Sequence, residues 1–367
     1  MFDRRLLECF NWGFLGVMLA LVGAGLLTLY SAVTAGDVDP QIMIYYKQLI
    51  WYGLGLTIML VTFFFDYRLL DQWAYLIWVI CIILLVAVLF YGKYVGGSRR
   101  WLALGPVSFQ PSELIKVGVV VVLARCYSRS LDIRGLTPRD LIRPAVLVAV
   151  PFGLIVQQPD LGTGLLVVFI AMSMTAFVKI ERKTMISIVI AGIVAVPMVW
   201  GLLKDYQRRR ILTFLDPDRD PLGAGYHIIQ SKIAIGSGMA TGKGLFKGTQ
   251  NALSFLPEQQ TDFIFSVWAE EMGFIGAAAL IFALLLVILW GINIAYGCRD
   301  AFGIILCVGA TSVIFWQAVI NIAMVMGLMP VVGMPLPFIS YGGSSTLTII
   351  LCMSILLNVS MRRFVVE

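Results

Sequence analysis

The sequence is short of charge. Asp, Glu, Lys and Arg make up 13% of its 367 residues, whereas 60% are hydrophobic. Soluble domains carry about 25% charged residues. So few charges cannot solvate a globule of this size, so a soluble enzyme is excluded. A single histidine, His227, rules out a multi-histidine metal site. No nucleophile elbow accompanies it, so a Ser-His-Asp hydrolase finds no support. The six cysteines contain no CxxC pair and read as small buried hydrophobes. There is no internal repeat and no low-complexity tract. The glycines from Gly236 to Gly248 fit neither a dinucleotide fingerprint nor a P-loop.

Long apolar runs are abundant. A membrane-spanning helix needs roughly 20 apolar residues. Ten segments qualify as candidates: Trp12–Ser31, Leu49–Phe65, Trp73–Phe90, Glu113–Ala124, Pro144–Val156, Leu161–Val178, Met185–Leu203, Phe263–Ala295, Gly303–Leu328 and Gly342–Leu357. The expected fold is therefore an all-α polytopic integral membrane protein, with residues 1–367 as one membrane domain. The fourth and fifth segments are short. Pro151 and Gly153 predict a broken or kinked fifth helix. The eighth is long enough to tilt or to extend beyond the bilayer. The first follows Arg4 and Arg5, but its apolar run is too long for a signal peptide, so it reads as a retained helix.

Basic residues give the orientation. With the N-terminus inside and ten crossings, the inner side collects Arg4, Arg5, Arg68, the arginines from Arg125 to Arg143, Lys179, Arg182, Lys183, Arg299, Arg362 and Arg363. Both termini are therefore expected in the cytoplasm. The net charge of +6 is then inner anchoring rather than a nucleic-acid surface. Two basic groups break this rule on the outer side. One surrounds residues 93–116; the other lies in the large outer loop 204–262, between segments seven and eight. Both also hold acids and glycines, which points to an outer site for an anionic ligand. The loop carries the turn signals Asp216-Pro217 and Asp220-Pro221. Tyr226, Ile229 and Ile233 predict a short amphipathic helix on the membrane surface.

Several residues in these places can do chemistry. Asp262 precedes segment eight; it either caps that helix or serves as a general base for a bound hydroxyl. Glu113 and Lys116 are three apart and share one helix face; they form either a self-satisfied ion pair or part of a substrate site. Ser112 reads as the N-cap there. Arg100 can clamp a phosphate, and Trp101 beside it suits an interfacial anchor. Asp160 reads as an N-cap of segment six. Arg208 and Arg210 either bind lipid headgroups or neutralise a diphosphate leaving group. The run from Phe338 to Ser345 contains small residues that allow close backbone approach. Glu270 and Glu271 need partners that the sequence does not identify.

Taken together, these stretches resemble one family. They are Arg100-Trp101 with Phe109-Gln110-Pro111-Ser112-Glu113, then Gln158-Pro159-Asp160-Leu161-Gly162-Thr163, and Asp216-Pro217 with Gly225-Tyr226-His227. Leu256-Pro257-Glu258 with Thr261-Asp262-Phe263-Ile264-Phe265 and Ser340-Tyr341-Gly342-Gly343-Ser344 complete the set. Their order and spacing resemble the SEDS family (shape, elongation, division and sporulation) over essentially the whole chain. The likeness is greater to its elongation branch than to its division branch. Gln260 departs from the pattern, since many relatives carry histidine there.

The resemblance implies a peptidoglycan glycosyltransferase that polymerises lipid II at the outer face of the bacterial inner membrane. It implies Asp262 as the essential acid, with Glu113, Lys116 and Asp160 in support and Ser345 in the adjoining motif. A class B penicillin-binding protein is the implied partner, beside lipid II and membrane lipids and without nucleic acid. The residues themselves add a mechanism. Asp262 deprotonates the acceptor, and Arg100, Arg208 and Arg210 stabilise the diphosphate. A divalent cation, Mg2+ or Mn2+, between Asp262 and phosphate is compatible, although no dedicated metal cage is visible. The competing reading is a lipid II flippase, which explains the many helices but calls for repeated halves.

Overall fold

The computed structural model describes residues 10–34, 41–95, 98–105, 107–130, 135–202, 205–216, 223–253 and 258–362. The turn dipeptides completed by Pro217 and Pro221, together with Pro257, Gly96 and Gly97, lie outside the described residues. Each of the ten predicted segments is a helix: α1 (Trp12–Thr34), α2 (Ile42–Phe63), α3 (Arg68–Tyr91), α4 (Pro111–Ser128), α5 (Ile142–Gln157), α6 (Leu161–Phe177), α7 (Arg182–Leu202), α11 (Ile264–Tyr296), α12 (Ala301–Val325) and α13 (Gly343–Arg362). Between α7 and α11 lie α8 (Asp205–Leu215), α9 (Ala224–Ser237) and α10 (Thr249–Ala252). Among the described residues, five helices (α1, α3, α11, α12 and α13) are long and apolar enough to cross a membrane.

The chain is not wholly helical. Three antiparallel strands precede α4: β1 (Lys93–Val95), β2 (Ser98–Leu104) and β3 (Val107–Phe109), in the order β1-β2-β3. The all-α expectation missed them because β1 and β3 have three residues each and β2, Ser-Arg-Arg-Trp-Leu-Ala-Leu, shows no strict polar–apolar alternation. They carry Arg100 and Trp101 on β2, with Trp101 opposite Lys93.

The core is built around α4. It is buried on almost every side, including its Val119–Val122 run, and takes Glu113 and Lys116 into the core with it. It packs against α3, α12 and α6, while α13 packs against α2 and α11 against α12. The cysteines among the described residues are buried thiols, as their apolar settings require.

Two helix breaks differ from expectation. The fifth helix is continuous through Pro151. Proline cannot donate to the carbonyl four residues back, and here the Trp78 indole donates to that carbonyl, on Leu147, at 3.1 Å. The break falls instead in the long eighth segment. Gly273 has φ +64 and ψ −165 inside α11. A Cβ at Gly273 would lie 2.2 Å from the Gly242 nitrogen, so only glycine admits the 238–250 loop into the notch.

That notch explains the two unassigned acids. The fully buried Glu270 accepts hydrogen bonds from Lys243 Nζ (2.6 Å) and from the backbone N–H groups of Thr249 (2.8 Å) and Gln250 (3.1 Å). Glu271 accepts from the Ser31 hydroxyl. Helix α9 forms where Tyr226, Ile229 and Ile233 predict it. Its bundle-facing stripe, however, is Ile228, Ser231 and Ala234, and Ile233 faces outward. Ser231 donates to the Val325 carbonyl at 2.6 Å and lies 2.8 Å from the Ser266 hydroxyl, holding α9 against α12 and α11.

Candidate active site

Asp262 sits in the turn that leads into α11. The N–H groups of Thr261 and Asp262 both donate to the Glu258 carbonyl at 3.1 Å. Helix α11 begins at Ile264 behind Phe263, without a side-chain cap. The capping alternative therefore fails, and the Asp262 carboxylate is left for another use.

Three contacts from elsewhere hold this turn. The Asn321 amide donates to the Asp262 carbonyl at 2.9 Å. The Ser340 hydroxyl donates to the Thr261 carbonyl at 2.6 Å, and the Tyr341 N–H to the Gln260 carbonyl at 2.9 Å. The 326–342 connection, between α12 and α13, thus closes over the turn. Within it Gly333, at φ +74, passes the carboxylate so closely that a Cβ there would lie 3.2 Å from Asp262 Oδ2. Glycine meets both demands, the backbone angle and the space. On the far side, a Cβ at Gly25 of α1 would come within 2.4 Å of the Phe338 carbonyl oxygen.

The half-buried carboxyl of Asp262 is pushed up from 3.8 to about 6. Desolvation is the largest cause, followed by the negative charge of Glu258; Thr261, Arg210 and Arg100 oppose them. A carboxylate with this value is charged at neutral pH and more basic than an ordinary aspartate, which suits proton abstraction.

Among the described residues, Arg100 and Arg210 are the cations whose fields reach it. Arg100 comes from β2 and donates to the carbonyls of Gln158 and Pro159, with its Nη1 3.9 Å from Asp160 Oδ1. Arg210, on α8, is exposed. Arg208 takes a different direction and donates to the Gly201 carbonyl at the end of α7, at 3.0 Å. Trp101 is half-buried in β2.

Asp160 caps α6, accepting from the Thr163 N–H at 3.2 Å and the Thr163 hydroxyl at 3.0 Å. Gln110 Nε2 donates to it at 3.4 Å, and the Gln110 N–H donates to the Ser344 hydroxyl at 2.9 Å. Gln110, rather than Ser112, occupies the N-cap position of α4 because Pro111 already fills the first helical turn.

The Glu113–Lys116 pair is buried and tight. Lys116 Nζ donates to Glu113 Oε2 at 2.7 Å and to Gln317 Oε1 at 3.3 Å. Gln317 Nε2 donates in turn to the Ser345 hydroxyl (2.8 Å) and the Pro335 carbonyl (3.2 Å). The pair thus joins the loop beside Asp262 through Gln317. Gln317 and Asn321 were not singled out in the sequence. Their signal was two amides four residues apart in an otherwise apolar helix, where polar groups are costly.

Among the described residues no three His, Cys, Asp or Glu side chains converge as metal ligands. Among the described residues Asp262 has one acidic neighbour, Glu258, so a Mg2+ or Mn2+ ion here would draw further oxygens from a phosphate substrate. The geometry offers a carboxylate with a raised pKa, the fields of two guanidinium groups and a braced wall. That combination suits transfer from an anionic leaving group to a hydroxyl.

Comparison with known proteins agrees with this reading. The profile of a family described as cell cycle protein, FtsW/RodA/SpoVE, matches residues 12–364. The chain is 40% identical over 339 residues to peptidoglycan glycosyltransferase MrdB of Escherichia coli K12, covering 92% of this chain and 91% of that protein. Among solved structures it is similar to a chain from work on the structural coordination of polymerization and crosslinking by a peptidoglycan synthase complex. That match has a TM-score of 0.81 and 34% identity, over 97% of this chain and 98% of the other. Thermus thermophilus rod shape determining protein RodA gives a TM-score of 0.72 at 28% identity, over 97% and 98% of the two chains.

Proposed function

The chain belongs to the FtsW/RodA/SpoVE family, and from that premise we propose that it polymerises lipid II into glycan strands during cell elongation. It is a multi-pass protein of the bacterial inner membrane. In this reading all ten long helices span the bilayer, both termini are cytoplasmic, and Asp262 opens to the outer face. The basic residues of the inner loops support that orientation.

The observation that carries the chemical proposal is the turn at Asp262. Its carboxyl is raised to about 6, hydrogen-bonds to Thr261 and lies within the fields of Arg100 and Arg210. Lipid II joins a disaccharide to a prenyl tail through a diphosphate. Asp262 takes the proton from the attacking sugar hydroxyl. That oxygen displaces the diphosphate at the anomeric carbon, so the α-linked donor becomes a β-glycosidic bond. Arg100 and Arg210 neutralise the departing diphosphate. Arg208 is bound to the α7 terminus and contributes less than its neighbour. Glu113, Lys116, Asp160 and Ser345 brace the wall, and the transpeptidase is supplied by a class B penicillin-binding protein.

The test is release of polyprenyl diphosphate from radiolabelled lipid II by the purified complex, with the partner's own active site disabled. Release that disappears in Asp262→Ala supports the proposal. Unreacted lipid II that crosses a liposome bilayer in the presence of the chain would overturn it in favour of flipping.

A further inference from the structure

Helix α12 carries a two-rung ladder of amides into the site. Gln317 and Asn321 are four residues apart and so lie on one face. Both are buried, 1% and 0% exposed, in a helix that is otherwise almost wholly apolar. The upper rung, Asn321, spans two segments. Its Nδ2 donates to the carbonyl of Asp262 at 2.9 Å and to that of Met334 at 2.6 Å. The lower rung, Gln317, links Lys116 with Pro335 and Ser345.

The chemistry of Asn321 is informative. Both of its partners are carbonyl oxygens, so its NH2 group must face them. Its own Oδ1 is buried with no hydrogen-bond partner among the described residues. An amide kept in an apolar helix with an idle carbonyl is retained for its two donations. Those donations fix the peptide of Asp262 at a set distance from the loop that passes over its carboxylate. The Asp262 carboxylate hydrogen-bonds to Thr261 in the same turn, so its aim depends on how the peptides of that turn are held.

We propose that Asn321 is the positioning residue of the catalytic aspartate, with Gln317 extending its hold to the Glu113–Lys116 pair. This rests on the general-base reading of Asp262. Asn321 touches neither sugar nor diphosphate. It acts by holding Asp262 in line with the acceptor hydroxyl, and a displacement of about 1 Å in such a group costs on the order of 100-fold in rate.

The test compares Asn321→Leu, which keeps volume and removes both donors, with Asn321→Ser, which keeps one hydroxyl donor. Polymerisation rates of the full complex are measured against lipid II concentration and pH. N321L is expected to lower kcat on the order of 100-fold with KM changed by less than about threefold, and to move the acid limb of the pH profile. N321S should fall between it and the parent. A kcat within about threefold of the parent, or a loss confined to KM with the acid limb unmoved, would overturn the proposal. So would failure of both variants to fold, which assigns Asn321 a structural role. Asp262→Asn is measured alongside. Activity in that variant sinks the general-base reading itself, and with it the positioning role, whatever the Asn321 variants do.

Discussion

Replacing Lys116 by methionine separates the structural share of the Glu113–Lys116 pair from its part in activity. Lys116 is 1% exposed, and its ammonium serves Glu113 at 2.7 Å and Gln317 at 3.3 Å. Methionine fills similar space but donates nothing. Glu113 then keeps a buried charge without a partner, at a cost of about 3–5 kcal/mol. Gln317 Oε1 loses a donor, adding roughly 1 kcal/mol. At about 2 °C per kcal/mol for a chain of this size, thermal unfolding in detergent should fall by roughly 8–12 °C. The double variant E113Q/K116M leaves no stranded charge. It should regain most of that stability while polymerisation stays low, because Gln317 still lacks its donor. Equal midpoints for the single variant and the parent would refute the reasoning. So would equal losses in the single and double variants, since the cost would then not come from an unpaired charge.

Other outcomes follow from particular contacts. Because the Asp262 carboxyl is raised to about 6, a general base there is neutral below that pH. The polymerisation rate should therefore rise as pH increases through about 6, and a flat profile from pH 5 to 8 would contradict this role. The same shift bears on stability. A carboxyl held above its ordinary 3.8 costs the folded state nothing at lower pH and most above 6, so D262N should be more stable than the parent at pH 8 but not at pH 4. Differential unfolding curves at the two values decide it. Gly273→Ala places a Cβ 2.2 Å from a backbone nitrogen at φ +64, and should prevent the 238–250 loop from docking, seen as new protease cleavage between Gly238 and Gln250. Trp78→Phe strands the Leu147 carbonyl beneath Pro151, which should cost about 1–3 kcal/mol in unfolding measurements.

Much of the architecture was legible because lipid imposes long apolar runs, and each of the ten read from the sequence is a helix. What the runs hid is local. Pro151 looked like a break, but its orphaned carbonyl is satisfied by an indole 69 residues away in sequence, which no window could reveal. Gly273 looked ordinary within an apolar stretch, yet it marks the real notch. The strand bearing Arg100 did not declare itself because Ser-Arg-Arg-Trp-Leu-Ala-Leu does not alternate polar and apolar residues. Asp262, Asp160 and the Glu113–Lys116 pair stood out because charge is rare here and each occupies a helix start. Arg208 and Arg210 could not be separated from sequence, since their directions depend on how α8 sits after α7. Gln317 and Asn321 were overlooked because uncharged amides raise less alarm than ions, although burial makes them equally demanding.

The most direct test of the central claim is a gel of glycan chains made by the purified complex from labelled lipid II, with the partner's transpeptidase disabled and Asp262→Asn run in parallel at pH 7.5. A ladder of polymer from the parent, and a rate lower by at least about 100-fold from the variant, is the predicted result. A ladder of similar intensity from a folded D262N complex would contradict the account, because it would leave the glycosyl transfer without the base assigned to it.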